Sequence, residues 1–497
     1  MTRRRAITGK TRVSGYYGLG LQQPSLEFLD VTLAKDAKMF VDPRAFLALD
    51  TEWGNECVEL IRGFFDDVLQ AIRAGNPERA RLLLSGLREP NETRLGLSKN
   101  RVAGRGVGTI LADDIYQSLA RSEAVEHGLI ENLEDTALMV EGIGVDRVSD
   151  ITTNIVRAKL IEFTMEMAAK YEMDVVDGVN SGPIWMRERG EWRSELVPML
   201  APGGMPLILV PRMIARWKMD YDPGEYYRKH VLPFLQDLEL QKVRSPIVQV
   251  VQSGRRKGER YVLKRDADAY YREKVDGGQK KVAVDVTRSY PEIFKRFQRS
   301  KERVFRPPVT FEVLHEKIGT PRPRWTELLR NVTALQRGQG SAHDYHRAIE
   351  ALLTPLFSPN LVDPKREREI QQGTQRIDIR YRNTGQSGFF KWFSEQIARA
   401  PWVAIECKNY KEDPKNPEIN QLAGRLNQHR GFLGILVCRE IQDRERFLTR
   451  CRGMLPDGKY LIGLDDRDLE LLVDARKRAD AEAVTKHLSD LVEDLVD

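Results

Sequence analysis

The sequence is poor in cysteine: four in 497 residues, at Cys57, Cys407, Cys438 and Cys451. None stands in a CxxC or CxxH pair, which excludes a disulfide scaffold or a zinc knuckle and leads us to expect a reducing cytoplasm. Long apolar runs are missing as well. Short ones such as Pro206-Leu207-Ile208-Leu209-Val210 are strand-sized, far below the roughly eighteen residues of a membrane span, so no membrane partner is expected. The basic start Met1-Thr2-Arg3-Arg4-Arg5-Ala6 lacks the apolar stretch of a secretory signal. Internal repeats at solenoid or propeller periods and low-complexity tracts are absent too.

What is present suits a folded, multi-domain chain. Its length predicts about two to four domains. Hydrophobic residues at 41% can build cores, and charged residues at 31% supply a solvated surface. The net charge of +6 is unevenly placed: residues 241–340 hold 24 Lys and Arg against 11 Asp and Glu. That stretch is strongly basic and the remainder slightly acidic, a distribution that suits phosphate-backbone binding by counterion release. Within it, Arg255-Arg256-Lys257, Lys264-Arg265, Tyr270-Tyr271-Arg272, Lys280-Lys281 and Lys295-Arg296-Phe297-Gln298-Arg299 interleave cations with aromatics. Backbone contacts with occasional base stacking would use such a mixture; a charged surface helix and linker would also produce it. The candidate nucleic-acid contacts are Arg255, Arg256, Lys257, Lys280, Lys281, Lys295, Arg296 and Arg299.

Hydrophobic periodicity predicts an α/β multi-domain chain in three parts. Residues 1–240 read as a mixed α/β region for recognition, sensing or assembly, with helices over Glu56–Ala74 and Ile155–Tyr171 and a strand over Leu207–Val210. Residues 241–325 are the basic segment, ending in a linker marked by Arg306-Pro307-Pro308 and Pro321-Arg322-Pro323. From 326 to 497 the pattern runs helix, strand, strand, helix, strand, strand. Its members are Ala342–Leu356, Arg376–Tyr381, Trp402–Lys408, Pro417–His429, Gly431–Cys438 and Tyr460–Leu464, followed by two acidic helices.

This last series carries the strongest chemical signal. Phosphodiester hydrolysis calls for a divalent cation, and Mg²⁺ prefers oxygen ligands. Asp378 lies mid-strand and Glu406 near the end of the next strand. In Glu406-x-Lys408 the strand period of two puts both side chains on one face. A carboxylate able to ligate a cation thus stands beside an ammonium able to orient water or stabilise charge on a phosphate. A Glu-x-Lys pair taken alone is common decoration of exposed strands.

The combination is more specific. Asp378, Glu406-Cys407-Lys408-Asn409-Tyr410, Ile419-Asn420-Gln421-Leu422-Ala423-Gly424 and Gly434-Ile435-Leu436-Val437 together resemble the PD-(D/E)xK nuclease superfamily, and more narrowly Mrr-like restriction endonuclease catalytic domains. The resemblance implies a restriction-endonuclease-like αβββαβ core. It implies Mg²⁺, replaceable by Mn²⁺, on Asp378, Glu406 and the backbone carbonyl of Cys407, with Lys408 catalytic. It also implies Glu350 on the first helix and Gln421 on the helix after the lysine strand as further site residues. Two departures stand out: Ile377 occupies the place of the proline in the family's name, and Asn383–Pro401 is longer than a hairpin needs. Its cluster Phe389-Phe390-Lys391-Trp392-Phe393 reads as a lid or a packing insertion. The resemblance says nothing about the N-terminal two-thirds.

Other motifs weigh less. Gly9-Lys10-Thr11 lacks the first glycine and the preceding strand of a phosphate loop. Gly104-x-Gly106-x-Gly108, flanked by Lys99, Arg101 and Arg105, reads as a flexible basic loop. In Gly142–Thr153, Ser149, Asp150 or Thr152 is expected to cap the following helix, with a ligand or second metal site at Asp146 and Asp150 as the alternative. His343 and His346 read as a solvated helix face. The sequence therefore predicts a cytoplasmic, Mg²⁺-dependent DNA endonuclease, with RNA left open, that works as a homo-oligomer. By analogy it is of restriction or anti-phage defence type. The rival reading is a non-cleaving nucleic-acid-binding or signalling protein that keeps the fold.

Overall fold

The computed structural model describes residues 7, 8, 10–49, 51–96, 107–302, 308–370, 375–410 and 412–497. Side chains at 107–111, 302, 339, 366–370 and 375–378 fall outside that description. The chain is a mixed α/β protein of two compact units. One comprises Met1–Leu19 with Val31–Arg306; the other comprises Gly20–Asp30 with Pro307–Asp497.

The first unit is mainly helical, with four two-stranded sheets among its described residues. Its long helix covers Glu52–Arg73, starting earlier than the apolar pattern suggests because Thr51 accepts from the Gly54 N–H and caps the first turn. Cys57, Ile61, Phe64, Val68 and Leu69 form its buried stripe. The predicted helix Ile155–Tyr171 begins at Arg157, behind a separate helix Val145–Ile155. That earlier helix corrects the capping expectation. It opens at Gly144, so Ser149, Asp150 and Thr152 lie inside it, with Ser149 Oγ accepting from the Val41 N–H and Thr152 donating to the Val148 carbonyl.

Leu207–Val210 is buried as expected but is not a strand. Its backbone donors are satisfied individually instead, Ile208 by the Glu92 carbonyl and Leu209 by Thr164 Oγ1. The basic segment also differs from a linker. Lys264–Lys274, Gln279–Ser289 and Pro291–Glu302 are helices of the first unit. Tyr271, Val282, Val286, Phe294 and Phe297 are buried, so Tyr271 and Phe297 serve packing rather than stacking on bases, while Tyr270 is half-buried. Of the expected linker, Arg306 and Pro307 lie outside the described residues, and Pro321–Pro323 joins two helices of the second unit.

In the second unit, α1 (Trp325–Thr333) and α2 (Ala342–Leu356) precede a five-stranded sheet. Its strands are β1 (Leu361–Ile370), β2 (Gln375–Asn383), β3 (Trp402–Lys408), β4 (Leu433–Cys438) and β5 (Tyr460–Leu464). Between them lie α3 (Asn416–Gly424) and α4 (Arg444–Arg452), and α5 (Asp466–Lys477) and α6 (Ala481–Val496) complete the unit. Spatial order is β5-β4-β3-β2-β1. The pairs β1/β2 and β2/β3 are antiparallel, whereas β3/β4 and β4/β5 are parallel. Although the αβββαβ resemblance implies a third strand before α3, periodicity did not reveal β1. Its Leu-Val-Asp-Pro-Lys-Arg-Glu-Arg-Glu-Ile sequence is charged and contains a proline, which edge strands tolerate.

Each face of the sheet carries its own core. Val403, Ile405 and Cys407 of β3 pack with Ile435, Val437, Ile462 and side chains of α2, α5 and α6. The Phe389 cluster belongs to this core, with Phe389, Phe390 and Phe393 buried, so that insertion is a packing element. On the opposite face, Ala404, Leu436 and Leu461 meet Ile419, Leu422 and Phe447 of α3 and α4. Two glycines let those helices sit close. A Cβ at Gly434 would come within 2.7 Å of Leu461 Cδ2 and 2.9 Å of Leu422 Cγ, and one at Gly463 within 2.7 Å of both Ile441 and Phe447. Gly434→Val is expected to lower the unfolding free energy by about 1–3 kcal/mol through overpacking, as checked by urea denaturation.

Candidate active site

Alternation along β3 turns Ala404, Glu406 and Lys408 toward the α3 face while Ile405 and Cys407 enter the other core. Glu406 is 1% exposed, a burial that a carboxylate tolerates only with charged or hydrogen-bonding partners. It has three. Lys408 Nζ lies 2.8 Å from Glu406 Oε1. Arg425, immediately after the last turn of α3, pairs with Oε2 and is itself 1% exposed. Gln421, one turn earlier on α3, satisfies its neighbours with the amide assigned so that its nitrogen donates to Glu406 Oε1 at 3.3 Å and its oxygen accepts from Arg425 Nη2 at 2.7 Å. The i, i+4 spacing of Gln421 and Arg425 is what places both over the same strand residue.

The end of β3 is fastened by side chains rather than by the sheet alone. Asn409 Nδ2 donates to the carbonyls of Gln336 and Gly338 at 3.0 and 3.1 Å. Arg439, just after β4 and 4% exposed, donates to Asn409 Oδ1 at 3.2 Å and to the carbonyls of Leu335 and Thr333. Its Nε also bonds Asp466 Oδ2 at 3.0 Å. These bonds tie the carboxyl ends of β3 and β4 to the segment before α2, holding fixed the strand end that presents Lys408.

β2, the strand that carries Asp378, is the antiparallel neighbour of β3, with Ile379 paired with Ile405 and Arg380 with Ala404. The side chain of Asp378 lies outside the described residues. Glu350 stands on α2, which covers the other face of the sheet; its carbonyl accepts from Thr354 Oγ1 at 2.7 Å. The contacts around Glu406 therefore unite Lys408, Gln421 and Arg425. Arg425 escaped the sequence reading, because an arginine at the end of a helix ordinarily points to water. The Gln421–Arg425 spacing was the available signal.

The described donors here are oxygens: the Glu406 carboxylate and the Cys407 carbonyl. That chemistry fits a hard divalent cation. Among the described residues, no group of three or more His, Cys, Asp or Glu side chains is arranged to hold a metal ion.

The other expected contacts lie in the first unit. Arg255, Arg256 and Lys257 are exposed in the turn between Gln249–Val250 and Arg260–Tyr261. Lys281, Lys295, Arg296 and Arg299 are exposed on helices. Lys280 is used internally: its Nζ donates to the carbonyls of Val140 and Ile143 at 2.7 and 2.6 Å, and burial lowers its pKa to about 8. Gly104 and Gly106, with Lys99, Arg101 and Arg105, lie outside the described residues.

A family model described as a domain of unknown function (DUF8370) matches residues 18–222. The match ends far before β3. No curated protein and no solved structure matches the chain. No helix among the described residues is long and apolar enough to cross a membrane.

Inside the matched region, burial and then the Asp146 and Glu89 carboxylates push Asp150 up to about 8, against the pull of Arg147. A carboxyl raised in the folded state binds its proton more tightly there than when unfolded. Its contribution therefore favours folding at low pH and is lost progressively as pH rises from about 4 to about 8. Asp150→Asn is expected to flatten the decline of stability across that window. Denaturant midpoints measured from pH 4.5 to 8.5 check this, and an unchanged slope contradicts it.

Proposed function

We propose that the second unit is the catalytic domain of a metal-dependent nuclease with a restriction-endonuclease-like core, acting on DNA. One observation carries the reading. Glu406 and Lys408 share a face at 2.8 Å on a central strand, and β2, which carries Asp378 in its sequence, is that strand's antiparallel neighbour. The order helix, three antiparallel strands, helix, parallel strand, from α2 to β4, interrupted by the Gly388–Trp392 helix between β2 and β3, supports the fold assignment.

In this reading Asp378, Glu406 and the Cys407 carbonyl hold Mg²⁺ or Mn²⁺. When bound, the cation polarises the phosphate and lowers the pKa of a coordinated water. Lys408 is a point charge on a flexible stem, 19% exposed. It can turn from Glu406 toward a phosphate oxygen or the attacking water. Gln421 fixes the Glu406 carboxylate by donating to Oε1. Asn409 and Arg439 hold the strand end, so the acid and the amine keep their spacing. The exposed cations of the first unit supply a surface for the phosphate backbone. Cutting both strands of a duplex needs two such sites, hence a homo-oligomer, and the working compartment is the cytoplasm.

Purified protein is expected to nick or linearise plasmid DNA in Mg²⁺ or Mn²⁺ and to stop on chelation. Lys408→Ala and Asp378→Ala are expected to be at least about 100-fold slower. Gel assays on supercoiled, linear and RNA substrates check this. Wild type and both variants behaving alike would remove the catalytic assignment. DNA binding that weakens steeply with salt, without cleavage, would favour the non-cleaving reading.

A further inference from the structure

Every described oxygen of the central carboxylate is already engaged by a positive or hydrogen-bonding group. Lys408 can leave, because its stem reaches solvent. Arg425 cannot leave so easily. Its guanidinium is 1% exposed, paired with Glu406 Oε2 and bonded through Nη2 to Gln421. It follows α3 directly, and α3 lies close on the sheet because Gly434 leaves no Cβ between Leu422 and Leu461. An arginine stays charged at any pH a protein survives. A divalent cation approaching Glu406 therefore meets a fixed positive charge in a poorly screened place.

We propose that Arg425 is a built-in counter-ion that competes with a divalent cation for Glu406 and keeps the site's metal affinity low until the guanidinium withdraws. This rests on the nuclease reading of the same site. It assigns Arg425 a positioning role through Glu406. Low affinity in the resting state would leave the site latent, so that whatever shifts α3 away from β3, such as seating of a substrate phosphate that draws the guanidinium to itself, would admit the metal.

The test is Mn²⁺ binding to the full-length protein without DNA, followed by electron paramagnetic resonance and by the metal-dependent shift in melting temperature. Arg425→Met removes the charge and keeps apolar volume. We expect it to bind Mn²⁺ about tenfold or more tightly than wild type. Arg425→Lys retains the charge and should stay near the wild-type value. If the methionine variant does not fold, Arg425→Gln makes the same comparison with a neutral group that still hydrogen-bonds. A gain in affinity is not what mere loss of packing would produce. Equal affinity in wild type and the neutral variants, abolished by Glu406→Gln, would overturn the counter-ion role while leaving the metal site standing. Weaker binding in the neutral variants would overturn it too, making Arg425 a support for the ligand. No Mn²⁺ bound by any form would remove the metal reading and the inference with it.

Discussion

A carboxylate taken almost wholly out of water needs compensation close at hand, and the second unit is arranged around meeting that need at Glu406. The strand that carries it is central, paired on both edges and covered on both faces, so solvent cannot do the work. Compensation comes instead from Lys408 on the same strand, Gln421 on α3 and Arg425 just after it. α3 can deliver them only because the sheet beneath it is locally bare, at Gly434. Removing one member of such a set leaves the others buried and uncompensated, which usually costs more than the pair contributes when intact.

Much of this unit could be read along the chain. Trp402–Lys408, Leu433–Cys438 and Tyr460–Leu464 are short apolar runs bounded by turn residues, and they form strands as such runs should. α2 keeps the predicted bounds because its buried residues recur at helical spacing. What stayed hidden had physical reasons. β1 is an edge strand whose alternation is written in charge rather than hydrophobicity. Leu207–Val210 has the composition of a strand, yet its backbone donors find partners in a carbonyl and a hydroxyl from distant segments. Tyr271 and Phe297, read as stacking surfaces among cations, are core residues whose neighbours in sequence carry the solvated charge. Composition cannot tell those two cases apart. In the candidate site, the acid–amine pair was legible from strand period, whereas Arg425 depended on a tertiary contact that no local pattern signals.

The first unit shows a different electrostatic habit. It buries several acids without complete neutralisation. Burial also lifts Glu134 to about 7 and Asp135 to about 6, the latter despite accepting from the Glu131 and Asn132 N–H groups. Lys280 is likewise desolvated against two carbonyls. These groups sit among helices whose apolar stripes are well filled, so the tension is carried by a robust frame.

At β3 the sheet changes from antiparallel to parallel pairing, and β3, β4 and β5 all end at the same margin. The segments leaving that margin are anchored at their roots by Asn409, Arg439 and the Asp465 cap of α5. Beyond those anchors they join no ladder among the described residues. Insertions or exchanges in these exits can accumulate while β3 keeps its place, giving descendants of this chain room to vary the surface at that margin without rebuilding the sheet.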